Sequence, residues 1–167
     1  MINKILTLTG FQITWFACVF GEYFNLPLLG LIIGILYLFV FFYFISNKFL
    51  AFQICLIFSI IGYCFDSLLS INYFYKINSE LTFGYLPIWF LVLWPSFITL
   101  FVDVLKFLKY RPILAFFMGF ILVPPTYFLG FMLDLAETNN LYLTMSIMAI
   151  FWGLFSYFYS IYMRKYS

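Results

Sequence analysis

The chain has no histidine. That absence removes the usual general base, the commonest haem and metal ligand, and every Ser-His or Cys-His arrangement. Carboxylates paired at catalytic spacing are missing too, as are Cys, Asp and Glu clusters at ligand spacing and the glycine-rich loops that cradle phosphate. No cofactor or metal is indicated, and the reading leans away from an enzyme. Any reaction would have to run on Asp, Tyr, Ser, Thr or Cys alone.

Charge is nearly as scarce. Only 8% of residues are charged, against about a quarter in a soluble domain. The net charge of +2 comes from bases scattered between apolar runs, which excludes the basic stripe of a nucleic-acid-binding surface. The three cysteines, Cys18, Cys55 and Cys64, lie in apolar stretches without Cys-x-x-Cys spacing. They read as small buried hydrophobes rather than a disulfide or zinc framework. The run Trp15-Phe16-Ala17-Cys18 is similar to a lipoprotein processing box, but Trp stands where a Leu-like residue belongs, which argues against lipidation. No extended hydrophilic stretch follows the first apolar segment, so that segment reads as retained rather than as a cleaved signal.

What is abundant is apolar surface: 66% of residues are hydrophobic and 26% aromatic. In water a chain of this size would leave much of that surface exposed, so lipid is the solvent that fits. Crossing a hydrocarbon core takes about 20 apolar residues, and the sequence supplies such a run six times, near 5–21, 26–46, 49–71, 85–105, 113–133 and 141–163. The runs lack the polar alternation of transmembrane strands. The expected architecture is all-α: a polytopic transmembrane bundle of six helices, forming a single integral membrane domain over 1–167. With the N-terminus inside, Lys4, Lys48, Lys106, Lys109, Arg111, Arg164 and Lys165 fall on one side and only Lys76 on the other. The positive-inside rule then predicts that the N-terminus and C-terminus are both cytoplasmic.

Asp66 is the sharpest single residue. A carboxylate at the centre of a span costs about 2.5 to 3.5 kcal/mol on insertion scales, and less nearer the interface. Helical spacing aligns it with Cys55, Ser59, Gly62 and Ser70, a small and polar stripe that predicts a packing face. Two readings stand: a proton or cation site in a cavity, and, favoured here, a buried hydrogen-bonding group or one wetted from the outer side. Gln12 in the first span calls for an interhelical partner, on a face separate from the small-residue stripe Thr7, Gly10, Thr14, Ala17 and Gly21. Both faces are therefore expected to meet protein. Asp103 lies one turn before Lys106, which predicts an ion pair. Pro124-Pro125 predicts a kink in the fifth span, followed by Thr126, Tyr127 and Gly130. Gly30-x-x-x-Gly34, and Gly153 with Ser156 and Ser160, predict close helix approach within the bundle or, as a second reading, across a homodimer.

The stretch Phe11 to Gly21, with Asp66, the run Pro87-Ile88-Trp89-Phe90-Leu91-Val92-Leu93-Trp94, Gly119, Pro-Pro-x-Tyr at Pro124 to Tyr127 and Gly130, resembles a family of small bacterial inner-membrane proteins. That family is catalogued only as a domain of unknown function (DUF2878). The resemblance implies a multi-pass protein of a Gram-negative inner membrane and directs attention to Gln12, Trp15, Asp66, Trp89 and Trp94, while Asp103 departs from the family pattern. It carries no reaction over. The expected role is an accessory or lipid- and small-molecule-handling component whose partners are membrane lipids. The alternatives are an intramembrane enzyme on a lipid-like substrate, a transporter-like protein, and an interaction subunit of a membrane complex or a homodimer.

Overall fold

In hydrocarbon every backbone N–H and C=O must pair within its own segment, so long apolar runs fold as helices. The computed structural model describes the backbone of residues 2–165 and the side chains of residues 4–165. Five helices are long and apolar enough to cross a membrane. They are α1 (Ile2–Tyr23), α2 (Pro27–Phe44), α3 (Lys48–Ile71), the broken pair α5 (Pro112–Leu122) and α6 (Pro124–Met132), and α7 (Leu141–Arg164).

The fourth apolar segment is different. Its helix, α4 (Phe90–Thr99), runs into a π-helical turn, Leu100–Val104, and then a 3-10 turn, Lys106–Tyr110. The helix was expected from 85, but Leu86–Pro87 (β3) instead pairs with Thr82–Phe83 (β2). The two-residue turn between them puts Gly84 at φ 63°, a left-handed geometry that glycine adopts freely in hairpins. At 1.5 Å per residue, ten residues of α4 and five of π-helix span roughly 20 Å, short of the roughly 30 Å hydrocarbon core. The deficit is tolerated because α4 is central, packed on α1, α2 and α3.

Loops sort to two faces. On one, three helices end in the same way: Asn25, Tyr73 and Asp134 turn left-handed. In each case the next amide reaches back five residues, as Leu26 to Gly21, Phe74 to Leu69 and Leu135 to Gly130. These are Schellman closures, which satisfy the last carbonyls of each helix. Lys76–Ile77 (β1) pairs with Ala136–Glu137 (β4) on this face, which carries Glu22, Glu80, Asp134 and Glu137 against a single Lys76. On the opposite, basic face Arg164 Nε donates to the Lys109 carbonyl at 2.9 Å.

Glycines set the helix spacing. A Cβ at Gly30 would lie 2.6 Å from Cys18 Cα, and one at Gly34 would lie 2.5 Å from the Val92 side chain. The Gly-x-x-x-Gly spacing therefore serves packing inside the chain. Of the expected stripe, Thr7, Thr14, Ala17 and Gly21 are buried and Gly10 is half-buried against Tyr37 of α2. Cys18 and Cys55 are buried, whereas Cys64 is exposed on the outer surface of α3, a correction to its expected burial: in lipid a thiol there loses nothing by facing outward.

Candidate functional site

The site is built from the α3 stripe. Because Gly62 has no side chain, the Trp94 ring lies directly on α3; a Cβ there would sit 2.1 Å from it. One turn further along, Trp94 Nε1 donates to Asp66 Oδ2 at 2.8 Å. From the other side, α6, which begins after the helix break at Val123, carries Tyr127, whose hydroxyl donates to Asp66 Oδ1 at 3.1 Å. The carboxylate is fully buried and shared among three helices. It is thus hydrogen-bonded rather than wetted.

More polar groups surround it. Tyr75 packs edge-on against Tyr127, with ring centroids 6.1 Å apart, and Trp152 stacks flat on Trp94 at 4.9 Å. The Tyr75 hydroxyl approaches Asp66, and Trp152 Nε1 approaches the Tyr127 hydroxyl. Neither closes a hydrogen bond of proper distance and angle, and the buried Ser156 hydroxyl also lacks a partner. Buried donors left open are uncommon in folded proteins.

These groups form part of the wall of an apolar cavity of about 460 Å3. Phe11, Gln12 and Trp15 of α1 line one side, Met118 and Leu122 of α5 the other, and Phe97 and Phe101 the floor. Helices α1 and α5 do not pack on each other, so the cavity is a cleft between them. Its lining runs from Leu108, near the basic face, to Ile77 and Leu135 near the acidic face. The same Ile77 and Leu135 line a polar vestibule of about 1020 Å3 among the acidic-face loops. The β1–β4 ladder thus stands between cleft and vestibule.

Two expectations are corrected. Gln12 has no hydrogen-bond partner among the described residues and is exposed, because its side of α1 borders the cleft rather than a neighbouring helix. Asp103 forms no ion pair with Lys106; it is buried, and Thr7 Oγ1 donates to it at 2.9 Å. The π turn carries it toward α1 and away from the loop. Trp89 lines the same cavity, and its indole N–H donates to Glu22 Oε2 at 2.6 Å, beside the Ser79 hydroxyl, which donates to the same oxygen at 3.0 Å.

The structure therefore gathers Asp66, Trp94 and Tyr127, with Gln12, Trp15, Trp89 and Thr126 along the same cleft. The Thr126 hydroxyl is taken up by the Val123 carbonyl at 2.7 Å. Sequence reasoning missed Tyr75, Trp152, Ser156 and Glu22. Among the described residues, no three of His, Cys, Asp and Glu stand close enough to hold a metal ion.

Apolar helices around a lipid-compatible cleft define the class: a multi-pass α-helical membrane protein. The chain belongs to the DUF2878 family, proteins of unknown function, which matches residues 4–157. No curated protein and no solved structure matches the chain.

Proposed function

We propose that this protein handles a lipid or lipid-like small molecule within the bacterial inner membrane, taking it laterally from the bilayer into the cleft between α1 and α5–α6. The observation that carries the reading is the cleft itself. Its volume of about 460 Å3 falls in the roughly 300–1,000 Å3 range of ligand pockets, and it has their usual character, apolar walls with a few polar groups. The basic face is cytoplasmic, on the strength of seven Lys and Arg there against one on the acidic face.

The test compares membrane lipids, by mass spectrometry, from a strain lacking the gene and from the same strain carrying the native gene or Gly130→Leu. Gly130 borders the cleft, and a Cβ there meets nothing within 4 Å, so the position has room for a side chain that narrows the space. A lipid species that changes on deletion, and that the native gene restores while an equally abundant variant does not, is the expected result. An unchanged lipid profile in all strains would overturn the reading.

A further inference from the structure

We propose that Gln12 is the polar anchor of the cleft and holds, at mid-membrane depth, the uncharged oxygen-bearing group of an apolar ligand such as a quinone or a prenol. This rests on the lipid-handling reading and narrows it to a ligand class. Gln12, Trp15 and Val19 follow one another at steps of three and four residues, so they share the face of α1 that lines the cavity. The Gln12 side chain is exposed there and has no hydrogen-bond partner among the described residues. The other polar groups of the wall are closed. Trp94 and Tyr127 donate to Asp66, Trp89 donates to Glu22, and Thr126 donates to the Val123 carbonyl. The polar atoms of Tyr75, Trp152 and Ser156 have almost no accessible surface. Among the described residues, a ligand in the cleft therefore meets one open polar side chain, the Gln12 amide.

Depth and charge define the ligand. Helix α1 spans Ile2–Tyr23, which puts Gln12 about 15 Å from either end at 1.5 Å per residue, midway across the roughly 30 Å hydrocarbon core. A glycerophospholipid keeps its charged head at the interface and would lay only hydrocarbon against the amide, leaving it unpaired. Drawing that head down to Gln12 would instead strand its charge, since no Lys or Arg lines the cavity among the described residues. The group that meets Gln12 must then be uncharged and free to leave the interface. An amide donates through its NH2 and accepts through its carbonyl, so it pairs with a quinone carbonyl or with the hydroxyl of a prenol.

All four tryptophans line the cavity, so their intrinsic fluorescence reports its occupancy. Purified full-length protein in phosphatidylcholine nanodiscs is titrated with decylubiquinone, farnesol or dioleoylphosphatidylglycerol, and so are Gln12→Met and Gly130→Leu. A saturable fluorescence change with decylubiquinone or farnesol is expected, and which of the two gives it separates the carbonyl from the hydroxyl. Binding of phosphatidylglycerol should be at least tenfold weaker. Methionine keeps the length of glutamine without its hydrogen-bonding groups. Gln12→Met should therefore melt no lower than the native protein yet bind about tenfold more weakly, the effect of one lost hydrogen bond. Unchanged affinity in Gln12→Met, or phosphatidylglycerol binding as well as the neutral probes, overturns the anchor, and the lipid-handling reading survives if Gly130→Leu still weakens binding. A native dimer that Gln12→Met reduces to monomers would place a second copy on Gln12 and likewise overturn it. If no probe binds saturably the anchor falls, and the lipid comparison of the deletion strain decides the lipid-handling reading separately.

Discussion

Trp94 on α4 donates its indole N–H to Asp66 on α3 at 2.8 Å, and the contact exists because Gly62, one turn before Asp66, leaves room for the ring. The same ring stacks on Trp152 of α7. One side chain thus fills a notch in α3, joins the aromatic core and satisfies half of a buried carboxylate. Stability and the shape of the cleft wall are consequently tied together at this position.

Replacing Asp66 separates the two roles. In Asp66→Leu the Trp94 and Tyr127 donors lose their acceptor, and each unsatisfied buried group costs about 1–3 kcal/mol. The variant should melt well below the native protein and accumulate poorly. Asp66→Asn keeps an acceptor oxygen for Trp94, so it should remain abundant and melt close to the native temperature. Intrinsic-fluorescence melting of both variants in detergent checks this; a Leu variant as stable as the native chain would remove the network from the account of stability.

Gly62→Ala and Gly130→Ala form a contrasting pair. The new methyl at 62 would meet the Trp94 ring at 2.1 Å, and the ring cannot swing away because Trp152 lies against its other face. Overpacking of this kind destabilises by about 1–3 kcal/mol. At 130 the methyl meets nothing within 4 Å, and Gly-to-Ala in a helix gains up to about 1 kcal/mol of propensity. Melting temperatures should move in opposite directions.

Much of this was legible beforehand. Run lengths located the helices, and the Asp66 stripe and the Pro124 kink were each readable, since both rest on local spacing. That Tyr127 would reach Asp66 was not, because it depends on the direction α6 takes after the break. Trp152 and Tyr75 gave no local signal in so aromatic a chain; the only hint was the small-residue spacing of Gly153, Ser156 and Ser160 beside Trp152. The Gln12 expectation failed for a physical reason. A polar side chain in a span finds a partner only where a neighbouring helix comes close, and α5 stands across the cleft.

The Glu22 contacts tie α1 to the long connection between α3 and α4. Glu22→Ala strands the Trp89 indole, whose N–H now donates at 2.6 Å, and releases Ser79. Amide hydrogen exchange over 72–89 should then speed up, since opening of this segment no longer has to break those bonds. Glu22→Gln keeps an acceptor and should exchange at nearly the native rate. Equal protection in native and Ala proteins would mean the hairpin is held by its own packing.

Whether α4 and its π and 3-10 turns carry the chain across the bilayer is decided by labelling two positions. Asn78 sits among the acidic-face loops, its Nδ2 donating to Glu137 Oε1 at 2.8 Å, while the Lys109 carbonyl accepts from Arg164 at the far end of α7. A segment that starts at one of these levels and ends at the other must cross, even though its α and π residues alone are too short to span. Asn78→Cys should react with an impermeant maleimide on intact spheroplasts, and Lys109→Cys only after the membrane is opened. Both labelling variants carry Cys64→Ser, because Cys64 is exposed whereas Cys18 and Cys55 are buried. Labelling of both positions from the same side would mean that the 90–110 segment re-enters rather than crosses, and the cleft floor formed by Phe97 and Phe101 would then need to be rebuilt.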